Sequence, residues 1–240
     1  SVFVMEACGS AHYGAREMVK TGHEVRLIAP QYVRPFVRRQ KNDAADAEAI
    51  VIAAQRPEMT FVGTKDEDQQ ASAVLFRSRE RLIQQRTVAV NALRSILYEF
   101  GHVVPSGIRN IRRIEEILAA ENSDLPSLVR TECLDIIAQI REQTARIEAK
   151  TKTAKELASK DDVARRLQTI PGVGPLTALA VETFAPEMST FKGGRNFAAW
   201  LGLVPKQHST GGKARLGKTS KMGQRDIRTL PVSGAMAVLQ

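Results

Sequence analysis

The sequence predicts an α/β unit, then a long helical hairpin of coiled-coil character, then a mainly helical C-terminal region turned at a glycine-rich link. Three observations carry this expectation. Two short apolar runs flank a helical stretch near the start, two long helical patterns occupy the middle, and Pro-Gly-x-Gly separates two further helical patterns near residue 171.

Val2 to Met5 form an apolar run that ends at Glu6 and reads as a strand already under way, so further sequence is expected upstream. A Gly, Ser and Ala-rich turn leads into a helix from Tyr13 to Thr21. The segment GHEVRLIAP then supplies a second strand, with Val25, Leu27 and Ala29 on one side by period two. Pro30 and Pro35 punctuate the next stretch. From Asp43 to Ala54 the spacing is helical, with Ala47, Ile50, Val51 and Ala54 on one stripe.

Residues 66 to 100 predict one helix roughly 50 Å long at 1.5 Å per residue. Leu75, Leu82, Ala89 and Ile96 recur every seventh position, with Leu93 and Phe100 on the adjacent track. Gly101, Pro105 and Gly107 end it. A second helix is expected from Leu125 to Ser159, with Cys133, Ile137, Ile140, Thr144 and Ile147 on its apolar face. The pair reads as an antiparallel hairpin that spaces or pairs protomers. After Asp161, the segment IPGVGPLTALA reads as a helix-hairpin-helix, and Phe197 and Trp200 mark a small apolar segment before a basic tail. The expected divisions are 1–64, 65–160 and 161–240.

Composition narrows the function classes. The chain has 240 residues, 43% hydrophobic and 25% charged, with a net charge of +9. That composition excludes wholesale disorder, and the charge attracts polyanions. Cys8 and Cys133 are too few and too far apart for a disulfide framework or a metal motif, and each reads as plain packing in a reducing compartment. No stretch reaches the apolar length of a membrane span, and no signal peptide pattern opens the chain.

Three groups of residues carry chemistry. Glu6 ends a strand at the edge where open α/β sheets place ligands, and Asp43 and Asp46 lie one helical turn apart. Carboxylates gathered there would suit Mg²⁺ or Mn²⁺, ions that activate a nucleophile and steady a leaving oxygen in phosphoryl transfer. The alternative is a helix cap with a favourable dipole. Arg38, Arg39 and Lys41 precede the pair and would bring a polyanion to it.

Gly172 and Gly174 allow a tight turn against a phosphate at a helix start, or else a purely structural connection. Between Lys206 and Arg228 seven Lys and Arg face one Asp, and Lys206, Lys213, Arg215, Lys218, Lys221 and Arg225 are candidate backbone-binding residues, with a solvated basic surface as the alternative. Within that segment Ser209 and Thr210, beside Gly211 and Gly212, are candidate nucleophiles or ordinary loop residues, and His208 adjoins them. The four histidines have no zinc-ligand spacing.

Taken together, VMEACGSAHY, KNDAADAEAI, IPGVGPLTALAVE and FAAWLGLVPKQHSTGGKARLGKTSKMG resemble the DEDD transposase/recombinase family of bacterial insertion sequences, over nearly the whole chain. The resemblance implies an RNase-H/RuvC-like N-terminal domain with four metal-binding acids. Glu6 corresponds to the acid after the fourth strand, and Asp43 and Asp46 to the two on the later helix. The family's first acid comes from an upstream strand with no counterpart here, so the first strands are expected to be absent and the chain alone to be weak in metal binding and catalysis.

The family's DNA-attacking serine aligns nearest Thr210, with Ser209 just before it. A threonine at that position carries an extra methyl that restricts its rotamers. The resemblance further implies DNA as substrate, assembly as a homo-oligomer (dimer or tetramer), a structured guide RNA in some members, and a cytoplasmic, nucleoid-associated location. Two rival readings stand beside it, a non-catalytic nucleic-acid-binding scaffold and a RuvC-like nuclease in which water attacks.

Overall fold

A computed structural model describes residues 1–37, 42–120 and 124–239. It is mostly helical with a small sheet, and its contacts form two compact units, Ser1–Ala71 with Thr183–Gly223 and Ser72–Glu182 with Gln224–Gln240. Each unit therefore draws on two separate stretches of chain.

In the first unit, β1 (Val2–Glu6) and β2 (Glu24–Ile28) pair in parallel, Val2 opposite Glu24 and Glu6 opposite Ile28, across the helix α1 (Ala11–Lys20). Adjacent residues on a strand face opposite layers. Met5 and Leu27 accordingly pack with Ala11 and Ala15 of α1, while Val4 and Ile28 pack with Ala49 and Ala53. Both faces of β2 are covered, which corrects the one-sided strand expected from Val25, Leu27 and Ala29. A two-residue strand β3 (Phe61–Val62), too short to leave a periodic signal, adds antiparallel to β2. Pro30 opens a short helix α2 (Pro30–Val33) and Pro35 lies in the 3₁₀ turn Arg34–Phe36; proline's fixed φ and missing donor suit both starts.

The helix α3 (Asp43–Ala54) packs on β1 through Ala49 and Ala53. The stripe expected from Ala47 and Val51 is rotated, since Ala47 is exposed and Val51 is 52% exposed. Small side chains let a helix approach a sheet closely, and alanines outrank the larger Val51 for that reason.

In the second unit, α4 (Glu67–Glu99) and α6 (Ser127–Lys160) match the expected long helices, and the link between them holds a helix not anticipated, α5 (Ile111–Ala119). The buried stripe of α4 runs through Ala73, Phe76, Leu82, Val90, Leu93 and Leu97. Ala89 and Ile96 only flank it and Phe100 is 41% exposed, so the strict heptad is corrected to mixed steps of three and four. At the end nearest α5, Leu93 and Leu97 meet Ile114 and Leu118 of α5 and Cys133, Ile137 and Ile140 of α6.

Farther along, the buried stripe continues through Leu82, Phe76 and Ala73 on α4 and Ile147, Ala154 and Ala158 on α6, and two arginine–threonine hydrogen bonds flank it. Arg86 donates to Thr144 Oγ1 at 3.1 Å and Arg79 to Thr151 Oγ1 at 2.8 Å, each threonine in turn donating to the carbonyl four residues back. The partner numbers fall on α6 as they rise on α4, the register of an antiparallel pair. Burial lowers the pKa of the Arg79 guanidinium from its ordinary value. Leu93 is fully buried, so Leu93→Ala is expected to cost roughly 2–5 kcal/mol, readable as a lower urea midpoint at unchanged slope.

Cys133 packs in this cluster, where burial pushes its thiol pKa up, whereas Cys8 is exposed and so departs from the packed role expected of it. No helix among the described residues is long and apolar enough to cross a membrane.

Beyond α6 come α7 (Asp162–Leu167), capped by Asp161, and α8 (Pro175–Phe184), which begins at Pro175. The helix α9 (Gly194–Trp200), the strands β4 (Pro205–Gln207) and β5 (Leu216–Thr219) and the helix α10 (Arg225–Val238) complete the chain. The composition of this last stretch predicts a basic tail, whereas it holds a ribbon and a helix. The interior Pro231 and Gly234 hide α10, because both residues ordinarily oppose helix.

Candidate functional site

Glu6 closes β1 on the side facing α3, since Val4, two residues earlier, packs against that helix. Asp46 is half-buried at the head of the inward stripe of α3, with Ala49 and Ala53 following at helical spacing, while Asp43 is exposed. Capping falls to Asn42, whose side chain accepts from the amide of Ala45 at 2.8 Å, so neither aspartate is consumed as the N-cap. Hard carboxylates on facing elements fit Mg²⁺ or Mn²⁺ in donor chemistry. Among the described residues, however, no three His, Cys, Asp or Glu side chains gather as a metal-holding group. Arg38, Arg39 and Lys41 lie outside the described residues.

The glycine turn divides in two. Gly172 has φ +81° and lies against α10, where an added Cβ would sit 2.8 Å from the carbonyl oxygen of Gly234. Gly174 has open space where its Cβ would be, just before the start of α8. Gly172 thus has a packing reason of its own, and Gly174 is the one free to meet a ligand. Gly172→Ala is expected to lower the melting temperature in a thermal unfolding scan, whereas Gly174→Ala should leave it unchanged.

The basic segment is organised where the sequence suggested a loop. β4 and β5 form an antiparallel ribbon, Pro205 opposite Thr219 and Gln207 opposite Leu216. Its turn is Thr210-Gly211-Gly212-Lys213, closed by a hydrogen bond from the Lys213 amide to the Thr210 carbonyl at 3.0 Å. Gly211 at φ +54° and Gly212 at φ +75° supply the two left-handed residues that a type I′ turn requires. Every residue from Pro205 to Leu216 is exposed, and Pro205 to Thr219 contains no acid. Lys206, Lys213, Arg215 and Lys218 therefore lie on an exposed ribbon whose own residues include no acid.

A two-stranded ribbon alone is marginal in water, and this one is held at several points. Ser209 Oγ accepts from the Arg215 amide at 2.8 Å and from the Gln207 side-chain amide at 2.7 Å. The His208 amide donates to the Arg215 carbonyl at 2.8 Å, and the imidazole rests on Gly217, where a Cβ would stand 2.8 Å from His208 Cδ2. At the base, the Ser220 amide donates to the Val204 carbonyl and the Lys221 amide to the Gly202 carbonyl. Lys221 has φ +54°, and Gly202 and Gly223 approach backbone to backbone. Beside this base Phe191, Phe197 and Trp200 form an aromatic cluster with centroids 5.3–5.8 Å apart. Arg225 begins α10, its side chain lying outside what is described.

The structure thus joins Ser209 to Gln207 and Arg215, and seats His208 on Gly217. The sequence reading missed Gln207, Gly217 and the Gly202–Gly223 approach. The available signal was the Gly-Gly pair between two short alternating runs, which marks a hairpin.

Comparison with known proteins agrees across the chain. Residues 164–240 match the family described as Transposase IS116/IS110/IS902 family, and residues 1–101 match the IS110-type DEDD model described as Transposase. The transposase for insertion sequence element IS1328 of Yersinia enterocolitica is 42% identical, covering 100% of this chain and 71% of the relative. The y4pF/y4sB protein of Sinorhizobium fredii is 44% identical over 100% of this chain and 62% of its own length. The transposase for IS1111A of Coxiella burnetii is 37% identical over 99% of this chain and 65% of its own length. The chain thus spans somewhat under two thirds of the length of two of these relatives. It belongs to the IS116/IS110/IS902 family of insertion-sequence transposases.

Proposed function

We propose that this chain carries DNA strand cleavage and transfer, with Ser209 on the basic ribbon as the hydroxyl nucleophile. The observation that carries the reading is a serine oxygen held by two hydrogen-bond donors on an exposed, acid-free cationic ribbon. In the step, the Oγ–P bond forms as a phosphodiester P–O bond breaks. The serine proton passes to water and the departing oxygen takes one from water. Lys206, Lys213, Arg215 and Lys218 hold the phosphate backbone in place, an electrostatic contribution that weakens with salt. Thr210 is the alternative hydroxyl, and no hydrogen bond among the described residues fixes its side chain.

The acids of the other end belong to the same reading. Glu6, Asp43 and Asp46 would hold Mg²⁺ or Mn²⁺ in an RNase-H/RuvC-like domain, the ion supplying charge stabilisation at a phosphate oxygen. Further residues beyond these three would have to complete such a set. Segments 1–64, 65–160 and 161–240 would then serve as the acidic domain, the oligomerisation arm and the nucleophile domain. α7, the glycine turn and α8 would act as a helix-hairpin-helix. The whole would work in the cytoplasm at the nucleoid, as a dimer or tetramer on DNA with a structured guide RNA.

The test incubates the chain with Mg²⁺ and labelled element-end or branched DNA and resolves covalent protein–DNA adducts on a denaturing gel. The expected result is an adduct that Ser209→Ala abolishes. Binding without an adduct overturns strand transfer by this chain and leaves a nucleic-acid-binding scaffold. Cleavage without an adduct points to attack by water.

A further inference from the structure

We propose that Gln207 is a positioning residue for Ser209, its side-chain amide fixing which lone pair of the serine oxygen faces the scissile phosphate. The inference rests on the reading of Ser209 as nucleophile and adds a residue to it.

Along an extended strand, residues two apart share a face and neighbours oppose one another. Gln207 and Ser209 share one face of the ribbon, as their 2.7 Å hydrogen bond records. His208 lies over Gly217 on the other. His208 is therefore not placed to take the proton of Ser209 within the same ribbon, despite adjoining it in sequence. The group that does reach Ser209 is an uncharged amide, which donates and cannot serve as a base.

A serine hydroxyl has two acceptor positions and one proton. Both positions on Ser209 are engaged, one by the Arg215 amide and one by Gln207, so the proton is directed away from the ribbon. Loss of that proton leaves a lone pair on the outward side, while the two donors stabilise the negative charge that develops. The Arg215 donor is backbone and fixed by the ribbon. The Gln207 donor is a side chain, so it can be removed without breaking the ladder. Thr210 has neither donor among the described hydrogen bonds.

The arrangement separates positioning from mere support of the ribbon, because only positioning changes the ionisation of the group at 209 and spares that at 210. In the full chain carrying Cys8→Ser, Ser209→Cys places a thiol at this oxygen position, with buried Cys133 as the unreactive background. The rate of alkylation against pH gives the thiol midpoint. Adding Gln207→Met is expected to raise that midpoint by about one pH unit, a roughly tenfold slower reaction near neutrality. The same change beside Thr210→Cys should leave its midpoint where it was. An unmoved midpoint at 209, or equal shifts at 209 and 210, overturns the proposal, the latter by showing general fraying of the ribbon. The adduct assay with Ser209→Ala separates the two readings. An adduct that survives it removes Ser209 as nucleophile, and the thiol midpoints judge Gln207 independently of DNA chemistry.

Discussion

Gly223→Ala is expected to detach the basic ribbon from the body that carries it and to cost on the order of 3 kcal/mol or more. A Cβ at this position would fall on the carbonyl oxygen of Trp200 and the amide nitrogen of Gly202, both backbone atoms that cannot swing aside as a side-chain tip can. Its counterpart Gly202 has φ +73°, and a Cβ there would lie 2.5 Å from the Gly223 nitrogen. The only relief is separation of the two strands of chain, which breaks the Lys221 to Gly202 and Ser220 to Val204 hydrogen bonds that close the ribbon's base. Thermal unfolding measures the cost. Limited trypsin digestion measures the detachment, since Lys206, Lys213, Arg215 and Lys218 should be cut sooner. A variant with wild-type melting and wild-type cleavage would refute the backbone approach. Gly174→Ala, with open space at its Cβ, is the matched control.

Ser209→Ala should abolish the covalent adduct, a loss of several orders of magnitude, while Thr210→Ala retains it within a few fold. The asymmetry follows from the hydrogen bonds, since Ser209 alone has its oxygen fixed by two donors. Part of any loss in Ser209→Ala would come from the ribbon itself, because an exposed hydrogen bond contributes roughly 0.5–1.5 kcal/mol and two disappear together. Salt-dependent DNA binding distinguishes the effects. A frayed ribbon lowers binding and adduct formation together, whereas a missing nucleophile leaves binding intact. If Thr210→Ala proves to be the inactive variant, the nucleophile moves to Thr210.

The order of elements was largely legible in the sequence, whereas the faces they bury were not. α4 and α6, at 33 and 34 residues, are long enough for periodicity to be unambiguous. Their buried stripes were harder, because a heptad template picks out positions 75, 82, 89 and 96, of which Leu82 alone lies on the buried stripe. The packed helix instead chooses Ala73, Phe76, Val90 and Leu97 at mixed steps. α3 shows the same effect, where Ala49 and Ala53 win over Val51.

The candidate site was legible as residue types and not as partnerships. Ser209 stood out by its neighbours in sequence. Its link to Arg215 depends on the ribbon's register, and that register is set by the two left-handed glycines. What separates Gly172 from Gly174 is packing against Gly234, a residue more than fifty positions away.

The two arginine–threonine layers of the long helices bear on assembly in another way. Because Arg79 and Arg86 are spaced like Thr144 and Thr151, sliding α6 along α4 by one heptad, about 10 Å, would exchange partners and still satisfy one of the two. Taken by themselves, these two pairs are a ruler with repeated graduations. Its zero mark is the apolar end around Leu93, Ile114 and Ile137, so a mutation there threatens the helices with misalignment as well as weaker packing.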